Sequence, residues 1–180
     1  TLFSSSAMKD FIGGVILFDE TIRQKTSLGP TVPELISKHG AVPGIKVDKG
    51  AKEFSCHPGE KITEGLDGLR DRLALYYQNG AKFCKWRAVI TIGNTIPSDA
   101  CIESNMNALA RYASLCQENN LVPIVEPEVL INGSHSIEKC DEVTRKSLHS
   151  LFNQLKMMNV FLPGTILKPS MVISGQENDS

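Results

Sequence analysis

The sequence predicts an α/β protein built on a parallel sheet, and three observations support this fold class. Five short runs are apolar almost throughout, as strands covered by helices on both faces are. Helical patterns of apolar residues lie between these runs. Successive runs begin roughly 30 to 45 residues apart, as the strands of repeated βα units do. The predicted order is therefore βαβαβαβαβ.

The five apolar runs are the predicted strands. They cover residues 12–18, 42–47, 83–90, 121–126 and 164–168. The last of them reads as a short buried strand that ends in Lys168. The polar residues 174–180, at the end of the sequence, are expected to be loose.

The first two predicted helices are marked by their end signals. A short helix over residues 33–39 lies between Thr31, whose hydroxyl can cap it, and Gly40, which can end it. The second helix ends at Gly80. Its apolar positions at helical spacing are Leu66, Leu69, Leu73 and Tyr76.

The last two predicted helices begin at serine caps, Ser98 and Ser136. Their apolar stripes consist of Ile102, Met106, Leu109, Ala113 and Cys116 in the first and Ile137, Thr144, Leu148, Leu151 and Leu155 in the second.

Two architectures share this order of elements. A chain of 180 residues suffices for one domain, and no linker or repeat divides it, so residues 1–180 are expected to form a single domain. An open doubly wound sheet and a (β/α)8 barrel both remain possible. A complete barrel usually needs about 250 residues and eight strands. Length alone therefore favours the open sheet.

The composition argues against several classes of partner. The formal net charge of -1 gives no electrostatic reason to expect nucleic acid or an acidic membrane surface, and no apolar run approaches the length of a membrane span. The five cysteines are odd in number and lack a CxxC spacing, which predicts neither a metal site nor a disulfide framework. Free thiols suit a reducing compartment, so the cytoplasm is predicted, with a plastid as the alternative if a transit segment precedes the sequence.

Ionisable residues lie inside or at the ends of four predicted strands. They are Lys46, Lys85, Arg87, Glu126, Glu128 and Lys168. Side chains alternate along a strand, so Lys85 and Arg87 share a face, and Trp86 between them faces the other way. Glu126 and Glu128 share a face if the strand continues through Pro127. Because the carboxyl ends of parallel strands meet at one edge, four cations and two carboxylates are expected together there.

Such a cluster has a structural and a chemical interpretation. An ion-pair network could explain any one of these residues, but it explains all six together poorly. A desolvated lysine beside other cations has a depressed pKa and can attack a ketone or aldehyde to form a Schiff base. Carboxylates can supply the proton transfers, and the remaining cations can hold a phosphate. The residue types thus predict Schiff-base chemistry on a phosphorylated carbonyl compound.

Several long motifs point to one family. They are GGVILFDET, GIKVDKG, GLDGLRDR, KWRAV, ALARYASLCQENNLVPIVEPEVL and ILKPSMV. In this order, over essentially the whole chain, the sequence resembles the class I fructose-bisphosphate aldolases. The resemblance implies a (β/α)8 barrel, also called a TIM barrel, in place of the open sheet. It also implies reversible cleavage of fructose 1,6-bisphosphate to dihydroxyacetone phosphate and glyceraldehyde 3-phosphate, without metal or cofactor.

The resemblance assigns a role to each catalytic residue. Lys168 resembles the Schiff-base lysine. Glu126 resembles the carboxylate that shuttles protons during Schiff-base formation. Glu128 resembles the carboxylate that lies beside this lysine and sets its charge state. Lys85 resembles the lysine near the reacting carbons.

The remaining two residues, Lys46 and Arg87, resemble cations on the phosphate side of the site. The expected partner is therefore a phosphorylated sugar, and the family implies a homo-oligomer, commonly a tetramer. The catalytic aspartate on an earlier strand of the family and the phosphate-binding turns of its last two strands have no counterpart in this sequence. The chain resembles strands two to six of eight, a partial barrel with about five parallel strands.

Two other interpretations are compatible with parts of the sequence. An aldolase-derived chain could act as an interaction module without catalysis. Another Schiff-base barrel, such as a transaldolase-like enzyme, fits the lysine and the carboxylates but not the run of matching motifs.

Overall fold

A five-stranded parallel sheet is the centre of the computed structural model, which describes residues 2–27 and 29–178. The strand order is β1-β2-β5-β6-β7. The bounds are Gly14–Leu17 for β1, Val42–Lys46 for β2, Phe83–Ile90 for β5, Val122–Val129 for β6 and Ile166–Leu167 for β7. All five predicted strands are present. Their order follows the chain without reversal, whereas a doubly wound sheet reverses at its switch point.

One short helix precedes β1, and the other helices fill the connections between these strands. Their bounds are Ala7–Phe11 for α1, Asp19–Ile22 for α2, Val32–Lys38 for α3, Leu69–Gln78 for α4, Asp99–Glu118 for α5 and Ile137–Met157 for α6, with 3-10 turns at Leu2–Ser4 and Leu162–Gly164. The predicted caps are confirmed: Thr31 forms a capping box with Glu34, and the hydroxyls of Ser98 and Ser136 accept backbone N–H groups of their helices.

The main core lies between the sheet and its covering helices. Trp86 is fully buried, as the alternation along β5 predicts, and its ring centroid lies 5.5 Å from that of Tyr112 on α5. The Tyr112 hydroxyl donates to the carbonyl of Ile124 on β6 at 3.2 Å, so the aromatic pair ties α5 to two strands. The opposite face of the sheet, which carries Phe83, Lys85 and Arg87 of β5, is only partly buried.

A small antiparallel hairpin, β3 (Ala51–Glu53) and β4 (Lys61–Thr63), lies outside the main sheet and was not among the predicted elements. Thr63 fixes it to β5 by donating to the carbonyl of Arg87 at 2.8 Å. The buried Glu60 carboxylate accepts from the N–H and the hydroxyl of Ser98, both at 2.7 Å. The hairpin is therefore attached to β5 and to the start of α5.

Two expectations about the last part of the chain are wrong. The predicted strand at 164–168 is not buried, because β7 is an edge strand with one neighbour, and Ile166 is 48% exposed. The described part of the segment after it is not loose: Gly175 and Gln176 donate to the carbonyls of His135 and Ile131 at 2.9 and 2.8 Å. Residues 179 and 180 lie outside the described part of the chain.

Within residues 2–27 and 29–178, no helix combines the length and the apolar character that crossing a bilayer requires.

Candidate active site

The sheet brings the six predicted site residues to one edge. Strand β5 pairs with β6 in parallel so that Arg87 is the partner of Glu126. Lys46, at the end of β2, is the partner of Lys85. Strand β6 continues through Pro127 to Val129, so Glu126 and Glu128 do share a face. Lys168 follows β7, where its N–H donates to the carbonyl of Val125 at 3.0 Å.

Glu126 is the centre of the cluster. Its carboxylate is 4% exposed and lies between two ammonium groups. Lys85 Nζ is 2.7 Å from Glu126 Oε2, and Lys168 Nζ donates to Glu126 Oε1. The side chain of Lys85 is 15% exposed, whereas that of Lys168 is 60% exposed. One buried carboxylate is thus shared by a covered lysine and an accessible one.

The surroundings of Glu126 keep it ionised. Burial raises the pKa of its carboxyl group, but the hydrogen bond from Lys168, the ion pair with Lys85 and the positive charges of both lysines outweigh burial, so the net pKa is lowered. An ionised carboxylate beside an ammonium group can accept its proton.

Arg87 and Glu128 form a second ion pair, in which Arg87 Nε donates to Glu128 Oε2. This hydrogen bond raises the pKa of Arg87, although burial opposes it. The carboxylate that contacts Lys168 is Glu126. The register explains this contact, because β7 pairs with β6 at Ile124 and Val125, which places Lys168 next to Glu126. The role of Glu128 beside Lys168 stays a prediction.

A third ion pair contains a residue that is not among the six predicted site residues. Lys46 Nζ donates to Asp48 Oδ1 at 2.5 Å, and the Asp48 side chain is only 2% exposed. The signal was available in the motif GIKVDKG, where the aspartate stands two positions after the lysine and can therefore share its face.

The expectation of a desolvated Schiff-base lysine is not met here. Lys168 is accessible because it follows an edge strand, and Glu126 compensates its charge. What the arrangement offers is an accessible amine beside a buried carboxylate, with Lys46 and Arg87 on neighbouring strands. Within the part of the chain that the structure describes, no group of three or more His, Cys, Asp or Glu residues is placed to hold a metal ion.

A sheet in barrel order with a lysine and carboxylate cluster at its carboxyl edge defines the class: a protein with part of an α/β barrel. The profile described as "Glycolytic: Fructose-bisphosphate aldolase class-I" matches residues 1–180. The chain belongs to the class-I fructose-bisphosphate aldolase family.

Similar proteins agree with this assignment. The probable fructose-bisphosphate aldolase class 1 of Xanthomonas axonopodis pv. citri is 61% identical over 97% of this chain and 52% of its own length. Cytosolic fructose-bisphosphate aldolase 4 of Arabidopsis thaliana is 50% identical over 99% of this chain and 46% of its own length.

A solved structure confirms the fold. The fructose-bisphosphate aldolase of Plasmodium falciparum, crystallised with TRAP and a small-molecule inhibitor, superposes with a TM-score of 0.95 at 47% identity, over 99% of this chain and 52% of that one. The five parallel strands thus form part of the predicted TIM-barrel fold. The chain spans about half the length of the curated relatives it matches.

Proposed function

We propose that this chain carries the Schiff-base site of a fructose-bisphosphate aldolase, which reversibly cleaves fructose 1,6-bisphosphate to dihydroxyacetone phosphate and glyceraldehyde 3-phosphate. The observation that carries the proposal is the buried Glu126 carboxylate held between Lys85 and the accessible Lys168. Membership of the aldolase family over residues 1–180 supports it.

Schiff-base formation assigns roles to this lysine and carboxylate. Glu126 accepts a proton from Lys168, whose nitrogen lone pair then attacks the C2 ketone of the substrate. A proton on the newly bonded nitrogen moves to the alkoxide oxygen, which gives the neutral carbinolamine. The protonated carboxyl group then gives its proton to the carbinolamine hydroxyl, which leaves as water and yields the protonated Schiff base. Lys85 keeps a positive charge beside Glu126 and the developing oxygen centre.

Carbon–carbon cleavage follows from the charge on the Schiff base. The C3–C4 bond breaks, its electron pair moves into the iminium group, and the C4 hydroxyl gives up its proton to a base. Glyceraldehyde 3-phosphate departs, and the enamine is protonated at C3 and hydrolysed to dihydroxyacetone phosphate. Lys46 and Arg87 provide positive charge for a phosphate group of the substrate.

We assign the activity to the cytoplasm, because relatives from Arabidopsis thaliana and Spinacia oleracea carry the names cytosolic and cytoplasmic. The homo-oligomer stays a prediction, which sedimentation velocity can test. The alternative of a non-catalytic interaction module has no support from the family match or from the relatives named here.

Borohydride trapping tests the proposed function directly. The protein is incubated with dihydroxyacetone phosphate and reduced, and the adduct is located by peptide mass mapping. We expect a stable adduct on Lys168. A folded protein that gives no adduct, or an adduct on other lysines alone, would contradict the proposal.

Two matched variants sharpen this experiment. Lys168→Arg keeps the positive charge beside Glu126 but removes the nucleophilic amine, so trapping should be abolished. Lys156→Arg makes the same exchange at an exposed position in the last turn of α6, which leads back to the start of β7 at the opposite edge of the sheet, and trapping should be unchanged. Circular dichroism spectra of both variants verify that the fold is retained.

A further inference from the structure

Asp48 is a buried carboxylate that joins the ends of two strands. Its Oδ1 accepts from Lys46 Nζ at 2.5 Å and from the N–H of Gly50 at 3.1 Å. Its Oδ2 accepts from the N–H of Arg87 on β5 at 3.3 Å. The side chain is 2% exposed, so these partners replace the water that a carboxylate otherwise requires.

The backbone explains why a side-chain acceptor is needed at this position. In a regular parallel ladder the N–H of Arg87 would donate to the carbonyl of Val47, since Val47 N–H already donates to the carbonyl of Lys85 at 3.1 Å. The Val47 carbonyl instead accepts from the guanidinium of Arg72 at 3.0 Å. The Asp48 carboxylate takes the place of that carbonyl and so fixes where β2 leaves the sheet.

We infer that Asp48 is a positioning residue that holds the Lys46 ammonium group for a phosphate of the substrate, an inference that rests on the proposed function. Lys46 is a long side chain, 28% exposed, which would otherwise sample several rotamers. Of its three N–H donors, Asp48 engages two, one through Oδ1 and one through the backbone carbonyl at 3.1 Å. The third donor remains for a phosphate oxygen.

Removing the Asp48 carboxylate should affect phosphate binding and not Schiff-base formation, because Asp48 contacts only one side of the site. Asp48 contacts Lys46 and the backbone of Arg87, the two cations assigned to the phosphate side, whereas the ion pairs of Lys168 and Lys85 are made with Glu126. Losing the carboxylate should therefore weaken recognition of the phosphate and leave Schiff-base formation intact.

The test compares two ketones in the borohydride reaction at Lys168: dihydroxyacetone phosphate and unphosphorylated dihydroxyacetone. Asp48→Asn has nearly the same volume, but it loses the negative charge and keeps one acceptor oxygen, for the N–H of Gly50 or of Arg87 and not for both. We expect the half-saturating concentration of dihydroxyacetone phosphate to rise roughly tenfold, as loss of one charge-assisted hydrogen bond would cause. Trapping of dihydroxyacetone should be unchanged. Asp67→Asn, at an exposed carboxylate after the hairpin, is the control and should match the parent protein with both ketones.

A double variant separates positioning from a general structural role. If Asp48 acts through Lys46, then Lys46→Gln and the Lys46→Gln/Asp48→Asn pair should have the same half-saturating concentration of dihydroxyacetone phosphate. Should Asp48→Asn alone fail to fold, this comparison still applies, because the double variant removes the carboxylate together with its ammonium partner.

The outcomes are distinct. Three results would each overturn the inference. They are an equal rise in the half-saturating concentrations of both ketones, a lower half-saturating concentration of dihydroxyacetone phosphate in Asp48→Asn, and additive effects on that concentration in the double variant. Failure of the parent protein to trap either ketone would instead count against the proposed function.

Discussion

The two lysines that contact Glu126 differ in access to solvent. Lys85 is covered and Lys168 is accessible, although both ammonium groups share the same carboxylate. A small molecule in solution can therefore reach Lys168, whereas Lys85 stays covered beside Glu126. Neutralising Glu126 would leave two ammonium groups facing each other, with no carboxylate between them.

The first prediction concerns the pH dependence of stability. The folded-state pKa of Glu126 is lowered, so its ion pairs stabilise the protein at pH values above the ordinary carboxyl pKa of about 4.3. This stabilisation is lost as the pH falls through the folded-state pKa. Glu126→Gln should therefore be less stable than the parent at pH 7, and the difference should shrink below about pH 4.

Urea midpoints measured from pH 7 down to pH 3 check this prediction. Glu20→Gln, at an exposed position of α2, is the control and should follow the parent at every pH. A gap between Glu126→Gln and the parent that stays constant with pH would show that the charge of Glu126 is not its cause.

At the scale of residues, the sequence predicts positions better than partners. All six site residues reach one edge, because alternation and parallel pairing follow from the chain itself. The register between β6 and β7 determines which carboxylate contacts Lys168, and no local sequence pattern specifies that register. The burial of Asp48 depends equally on tertiary contacts, with Arg87 among them.

At the scale of elements, two serine caps begin the two longest helices in different surroundings. Ser136 accepts the N–H of Lys139 at an exposed helix start. Ser98 accepts the N–H of Cys101 and also donates to the buried Glu60 carboxylate. Ser98 therefore joins the hairpin to α5 in addition to capping the helix.

The second prediction follows from this difference. Ser136→Ala should lower the free energy of unfolding by about 1 kcal/mol, the usual value of a helix cap. Ser98→Ala should cost about 2 kcal/mol, because a hydrogen bond to a buried carboxylate is lost as well. Denaturant unfolding of both variants measures the difference. Equal losses would mean that the Glu60 contact adds nothing to stability.

The third prediction concerns the segment that follows Lys168. An added Cβ at Gly175 would stand 2.1 Å from the carbonyl oxygen of Gly133, which is backbone and cannot rotate away. Gly175→Ala should therefore displace residues 175–178 from the loop before α6 and cost about 1 to 3 kcal/mol. Hydrogen exchange at the N–H groups of Gln176 and Glu177, which donate to this loop, should accelerate.

Gly13→Ala is the matched control, because a Cβ there meets nothing within 4 Å. It should change stability by no more than about 0.5 kcal/mol. Unaltered exchange at residues 176 and 177 in Gly175→Ala would contradict the tight docking of this segment.

Long elements could be predicted, and short ones could not. Helices α5 and α6 each present several turns of apolar periodicity and a serine cap. Strands β3 and β4 have three residues each, AKE and KIT, too few to display alternation. Tertiary contacts, such as those of Thr63 and Glu60, specify this hairpin.

At the scale of the whole molecule, the sheet has two edge strands. Within the described residues, β1 and β7 each pair on one side only, and Ile16 on β1 is 44% exposed. Length favoured an open doubly wound sheet, while the family resemblance correctly predicted barrel order, which apolar periodicity cannot distinguish. That residues 1–180 form a single domain stays a prediction.

The fourth prediction is self-association of the 180-residue chain through these edges. Unpaired backbone groups flanked by apolar side chains favour edge-to-edge pairing. We expect the sedimentation coefficient to rise with protein concentration, and Ile16→Lys to reduce this rise. Ile137→Lys is the control, since Ile137 has a similar exposure of 46% but lies on α6. An equal effect of both variants would contradict association through the edge.

The residues that form ion pairs at the strand ends carry one more positive charge than negative charges. Four cations, Lys46, Lys85, Arg87 and Lys168, face three carboxylates, Asp48, Glu126 and Glu128. The surplus is positive in a chain whose formal net charge is -1, so the attraction for a phosphate is local to this edge. At physiological ionic strength, screening limits such an attraction to about 8 Å. A small phosphate-bearing molecule would therefore reach this edge by ordinary diffusion and be attracted only within that distance, so its association rate would depend weakly on salt.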